Sequence, residues 1–182
     1  MTQSKINKLI NIILICCVAS ANAGFDAGFC ASPSTKQNVS IDAYSGRWYE
    51  IWRDATIPFE LGASCTTATY TKLTNTTIKV ENRCYYWPLS FLAFNIEGAA
   101  KCNANAQCYV SFTSPPFFDR DPNYLVIDTD YTSYSIVYSC TNFLNGLMKY
   151  ENVWFLSRTP LVSTDLLNKV TNIITKKIPR YN

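Results

Sequence analysis

The residues best able to do chemistry in this 182-residue chain are its cysteines, and no histidine stands beside them. Without an imidazole there is no Ser-His-Asp or Cys-His nucleophile, no HExxH zinc site and no histidine acid or base. Of the eight cysteines, Cys16 and Cys17 fall in a leader-like segment, which leaves Cys30, Cys65, Cys84, Cys102, Cys108 and Cys140. These six contain no CxxC pair, so an even set in an exported chain reads as disulfides rather than as a zinc site. Asp128-x-Asp130-x-Thr132 has the spacing of a calcium loop, but Ser133 and Ser139 stand where that loop needs glycine and glutamate. No metal and no cofactor are expected.

The export reading comes from the first 23 residues. Lys5 and Lys8 give a positive start, residues 9–19 form a short apolar run, and Ala21-Asn22-Ala23 supplies a small-x-small cleavage pattern. The run is too short for a membrane anchor. Residues 1–23 therefore read as a signal peptide and 24–182 as one secreted, extracellular domain. Asn38-Val39-Ser40 and Asn75-Thr76-Thr77 are glycosylation sequons, with Asn38 and Asn75 as the acceptors.

Composition narrows the partners. Hydrophobic residues make up 48% and charged residues 16%, enough for a packed core rather than disorder. The formal charge of +3 includes the two leader lysines, so the remainder carries 14 basic against 13 acidic residues and no nucleic-acid signature.

The elements that must position any site are mostly strands. Runs rich in Tyr, Val, Ile, Phe and Thr at 47–53, 65–73, 76–84, 95–102, 108–113, 124–128, 134–140 and 150–157 are separated by turn signals. No βαβ spacing occurs, so the pattern predicts an all-β antiparallel meander, and closing it into an eight-stranded up-and-down barrel would remove its exposed edges. A sandwich is the rival. After Pro160 the period changes: Leu166, Leu167, Val170, Ile173, Ile174 and Ile178 form an apolar helical stripe, with Ser163 or Thr164 as the cap. One C-terminal helix should pack outside the barrel.

If Thr74-Asn75 is a two-residue turn, Cys65 faces Cys84 across an antiparallel pair and can bridge to it. Cys102 and Cys108 flank a later turn and can close a short loop.

Three segments in fixed order, Gly46-Arg47-Trp48-Tyr49-Glu50-Ile51, Thr129-Asp130-Tyr131 and Phe155-Leu156-Ser157-Arg158, resemble the signature blocks of the lipocalins. Tyr138-Ser139-Cys140 and Trp154 make the match most similar to the apolipoprotein D branch, over nearly the whole chain after the leader. The resemblance implies a barrel with a closed base, built on Gly46, Trp48, Asp130 and Arg158, with Arg158 lying across the Trp48 indole. It implies a Cys30–Cys140 bond. The branch also ties its early second-strand cysteine to a C-terminal cysteine, which this tail lacks.

Strand parity from Trp48 points Glu50 and Trp52 inward, and parity from Arg158 points Leu156 and Trp154 inward. Tyr70 and Tyr124 match cavity positions of the branch, and Val126 shares the parity of Tyr124. The expected ligand-binding set is therefore Glu50, Trp52, Tyr70, Tyr124, Val126 and Trp154, suited to a lipid, steroid or terpenoid. Up-and-down topology sends four loops to the open end, and these carry Phe59, Trp87, Phe91, Phe94, Phe117, Phe118 and Phe143. Such a rim could dock on a membrane or lipid particle, join another copy of the chain, or fold inward as a lid. The expected function is a non-enzymatic carrier of a small hydrophobic ligand. The rival readings are a lipocalin-type isomerase using a free Cys65 thiol and a filled barrel that acts by binding other proteins.

Overall fold

The computed structural model describes residues 25–54, 63–86, 93–118, 121–179 and 181. The expected leader, and Phe59, Trp87 and Phe91, lie outside the described residues. Nine strands form a single sheet: β1 (Phe25–Ala27), β2 (Gly46–Arg53), β3 (Ala63–Lys72), β4 (Thr77–Tyr86), β5 (Ala93–Cys102), β6 (Gln107–Ser111), β7 (Tyr124–Thr129), β8 (Tyr134–Phe143) and β9 (Met148–Ser157). Two α-helices accompany them, α1 (Ile41–Tyr44) and α2 (Thr164–Lys177). Strands β2 to β8 pair each with the next, and β9 pairs with both β8 and β2, closing an eight-stranded antiparallel barrel.

Side-chain alternation shows why each strand reads as it does. In β4, Ile78 and Val80 are buried while Lys79 and Glu81 lie outside, an ion pair with Lys79 Nζ 3.1 Å from Glu81 on the solvent face. In β8, five successive residues from Tyr134 to Tyr138 are buried, because both faces are covered. Inward lie Ser135 and Val137. Outward lie Tyr134, Ile136 and Tyr138, packed with Val153 and Phe155 beneath Val170 and Ile174 of α2 and Ile178 at its C-terminal cap. Ser163 caps that helix by accepting from the Leu166 amide at 3.2 Å. Leu167 departs from the expected stripe and is exposed, since its position turns away from the buried face.

Three features escape the sequence pattern. β1 takes up the upper part of β9, where β2 has already left it at Trp154. Helix α1 seats Ile41 and Tyr44 in the same buried cluster as Trp48. The turn between β3 and β4 is wider than two residues, so partners run from Lys72↔Ile78 to Thr67↔Arg83, and a bulge then restores the expected register at Ser64↔Tyr85. The bulge sets the Cys65 backbone opposite buried Cys84; the Cys65 side chain lies outside the described residues.

Among the described residues two disulfides are seen. Cys30–Cys140, with Cα atoms 5.8 Å apart, pins the N-terminal arm to β8, and Cys102–Cys108 closes the β5–β6 turn with Cα atoms 4.0 Å apart. Gly98 has a steric role, because a Cβ there would run into the Ser111 carbonyl of the neighbouring strand.

Candidate functional site

The closed end of the barrel is built around Trp48, which is fully buried. Its indole N–H donates to the Tyr44 carbonyl at 2.9 Å. Gly46, at φ +98, turns the chain into β2 through a left-handed conformation that disfavours any side chain, and a Cβ there would stand 3.2 Å from the Arg158 guanidinium. Arg158 lies over the indole, with its Cζ 3.7 Å from the ring centre. Its N–H groups donate at 2.9 Å to the carbonyls of Tyr131, Arg47, Ala43 and Ser45. Asp130 accepts from the amides of Ser133 at 2.8 Å, Tyr134 at 3.0 Å and Thr132 at 3.1 Å, and from the Ser133 hydroxyl. Partial burial pushes its carboxyl up, but those hydrogen bonds prevail and hold it below the usual carboxylate range. The neighbouring Asp128 lies 3.0 Å from Lys177 of α2.

Above this floor sits a cavity of about 390 Å³, within the ~300–1,000 Å³ typical of small-molecule sites. Glu50, Tyr70, Tyr124, Val126 and Trp154 all line it. Trp52 does not. A bulge after Glu50 breaks the parity, so Trp52 pairs with outward-facing Phe155 and is 42% exposed on the outer face. The same bulge lets Arg53 reach back to form an ion pair with the Glu50 carboxylate, which supplies the partner an interior carboxylate needs.

Tyr44, unrecognised in the sequence, completes an aromatic layer. Its hydroxyl lies 2.8 Å from Ser135 Oγ and 3.0 Å from the Tyr124 hydroxyl, which is itself 3.0 Å from that of Tyr70. The Tyr44 and Tyr70 rings stack with centroids 5.6 Å apart, and Tyr124 meets Tyr70 edge-on. Burial raises the Tyr44 phenol, and raises that of Tyr124 well above its ordinary value. Both phenols therefore stay uncharged at neutral pH. Higher in the wall, Thr66, Asn82, Ser139 and Asn152 also face the cavity. Their parity with Tyr70, Val80, Val137 and Trp154 was the available signal.

At the open end, Phe94, Phe117 and Phe143 are exposed and Phe118 is half-buried. Phe112, Leu144, Leu147 and Met148 add further exposed apolar surface. Both sequon residues, Asn38 and Asn75, are exposed at the base, Asn75 in the β3–β4 turn and Asn38 beside the β5–β6 turn.

The family model for a lipocalin-like domain matches residues 39–178, from the N-terminal arm through α2. The chain belongs to that family. Among curated relatives it is 35% identical to apolipoprotein D of Rattus norvegicus, over 83% of this chain and 77% of the relative, and 26% identical to the Lazarillo protein of Schistocerca americana, over 87% and 72%. Among solved structures, insecticyanin of the tobacco hornworm Manduca sexta superposes with TM-score 0.69 at 21% identity, covering 84% of this chain and 80% of that one. Lobster apocrustacyanin A1 superposes with TM-score 0.68 at 16% identity, covering 90% and 88%. At those identities the structural likeness speaks for the lipocalin barrel alone.

Proposed function

We propose that this lipocalin is a secreted carrier that holds one small, largely apolar molecule in its barrel and loads it through the open end. The observation that carries this reading is the cavity above Trp48, lined by Ile78, Val80, Ala100, Val126 and Leu156. Burying about 400 Å² of ligand surface there is worth ~10 kcal/mol before association costs, which supports micromolar affinity or tighter. Kinship with proteins named apolipoprotein D supports lipid as the class of ligand. The Cys30–Cys140 and Cys102–Cys108 bonds support an oxidising, extracellular destination.

The exposed apolar mouth supports loading at a membrane or lipid particle, since cargo could then pass without crossing water. Exposed Asn38 and Asn75 would carry glycans at the opposite end and leave that mouth bare. The isomerase reading needs a free thiol at Cys65, and the register that sets Cys65 opposite Cys84 favours a disulfide there instead.

The test is native mass spectrometry of protein purified from a eukaryotic secretory host, followed by solvent extraction. One lipid per barrel supports the carrier; a protein that neither arrives loaded nor takes up added lipid refutes it. Liposome flotation of a Phe117→Asp/Leu147→Asp variant tests docking: unchanged binding refutes it, and a monomer shift without lipid binding assigns the rim to self-association.

A further inference from the structure

The upper wall of the cavity is not uniformly greasy, and its polar residues are not scattered. Ser139 on β8 pairs with Asn152 on β9. Around the barrel follow Glu50 on β2, Thr66 on β3 and Asn82 on β4, all lining the cavity. β2 and β3 pair at Tyr49↔Thr67, which brings Glu50 abreast of Thr66, and Asn82 is the partner of Ala68 one inward step below. Five adjacent strands thus carry one polar arc. The wall across the cavity, on β5 to β7, presents Ala100, Val110, Tyr124 and Val126, and Asn123 just before β7 already spends its amide on the Val110 backbone, accepting at 2.8 Å and donating at 3.1 Å.

Within the arc, Thr66 Oγ1, Asn82 Oδ1 and Asn152 Oδ1 are buried and make no hydrogen bond to the protein. Thr66 is 8% exposed and Asn152 only 4%. Buried polar atoms are nearly always paired, and each orphan calls for an explanation. An apolar cargo needs none of them, because valine and leucine would line the wall at lower cost to folding. Water can serve these atoms while the cavity is empty, but a ligand that displaces the water must replace its bonds or lose affinity.

The chemistry of the arc defines the replacement. Two amide oxygens accept only, and the threonine hydroxyl can accept as well. The Glu50 carboxylate is already neutralised by Arg53, so no net positive charge waits for an anion. We propose that the cargo is a neutral lipid bearing at least two hydroxyls, each donating to one of Asn152, Asn82 and Thr66, while its apolar body lies along Val110 and Ala100 toward Trp48. A carboxylate head could accept a hydrogen bond from the Thr66 hydroxyl but would set acceptor against acceptor at both amide oxygens, and a hydrocarbon would leave all three atoms dry and unpaired. The inference rests on the carrier reading and adds the polar pattern of the ligand.

Three molecules with one C16 chain test it: 1-O-hexadecylglycerol, 1-hexadecanol and palmitate, titrated into the full oxidised secreted chain by calorimetry at pH 7.5. The expected order is hexadecylglycerol over hexadecanol over palmitate, with about a tenfold step for each hydroxyl that finds an acceptor. In Thr66→Val/Asn152→Leu the ratio of hexadecylglycerol to hexadecanol affinity should fall toward one. Thr66→Val alone, nearly isosteric, should lower that ratio several-fold and serves if the double variant does not fold. Palmitate binding as tightly as hexadecylglycerol, or a variant that weakens both alcohols by the same factor, overturns the proposal while leaving the carrier intact. No binding of any of the three overturns both.

Discussion

Replacing Arg158 should open the base of the barrel, and the structure sets the size of the effect. The side chain covers the Trp48 indole at 3.7 Å and gives four hydrogen bonds of 2.9 Å to carbonyls from the α1–β2 segment and the β7–β8 turn. A charged hydrogen bond contributes ~1.5–3 kcal/mol and a desolvated cation–π contact about 2. The terms share one side chain and are not additive, and the guanidinium is partly exposed, so a total of about 3–4 kcal/mol is the reasonable figure for Arg158→Met. Methionine keeps some apolar cover on the indole and removes every donor. For a domain of this size ~1 kcal/mol moves Tm by about 2–4 °C, which places the variant roughly 6–16 °C below the parent. Arg158→Lys keeps the charge but not the planar fork and should recover less than half of the loss. The assay is thermal unfolding by circular dichroism with the disulfides intact, with the near-ultraviolet band reporting on Trp48. A Met variant within about 1 kcal/mol of the parent, or a Lys variant equal to it, would refute the reasoning.

Other expectations follow from the same contacts. Cys30→Ala/Cys140→Ala removes a cross-link spanning 110 positions and should cost about 4–5 kcal/mol by chain entropy, against roughly 2–3 for Cys102→Ala/Cys108→Ala; equal shifts in urea midpoint would contradict this. Non-reducing peptide mapping should recover Cys65 joined to Cys84 and no free thiol under denaturation, and a fragment joining Cys65 to Cys102 or Cys108 would refute that pairing. The raised phenols of Tyr44 and Tyr124 contribute stability that is complete below the unfolded value of about 10 and is lost as pH climbs toward their folded values. The lowered carboxyl of Asp130 works oppositely: its contribution is present above about pH 4 and fades as pH falls through the folded value. Urea midpoints against pH should therefore stay level from about pH 5 to 9, and Asp130→Asn should flatten the acid limb; an unchanged acid limb in that variant would refute the assignment.

Much of this was readable from the residues, for identifiable reasons. Eight strands show themselves because each is a β-rich run bounded by turn residues, and β4 alternates Ile78, Lys79, Val80, Glu81 as a half-buried strand must. The helix shows itself because Val170 and Ile174 sit one turn apart above a sheet. Trp52 was misplaced because a bulge is invisible to parity counting: one extra residue at Ile51 turns every later position over. Tyr44 was missed because a four-residue helix has no period to detect, and it acquires its place only from Trp48 and Tyr124 far along the chain. β1 was missed because three exposed residues gain strand structure only from the vacant edge of β9. Thr66, Asn82 and Asn152 were open to discovery, since polar residues on an inward parity are anomalous, yet their orphaned oxygens emerge only once the barrel closes.

The central claim, that the space above Trp48 is a place for a guest rather than slack in a core, is tested most directly by filling it. Ala100 lies on the cavity wall beside its cross-strand partner Ile78, 5% exposed, and Ala100→Phe projects a ring into the void while the outer surface is untouched. Calorimetric titration of a C16 lipid alcohol should give one site per barrel in the parent and none in the folded variant. A folded Ala100→Phe barrel that binds the alcohol as the parent does would contradict the account.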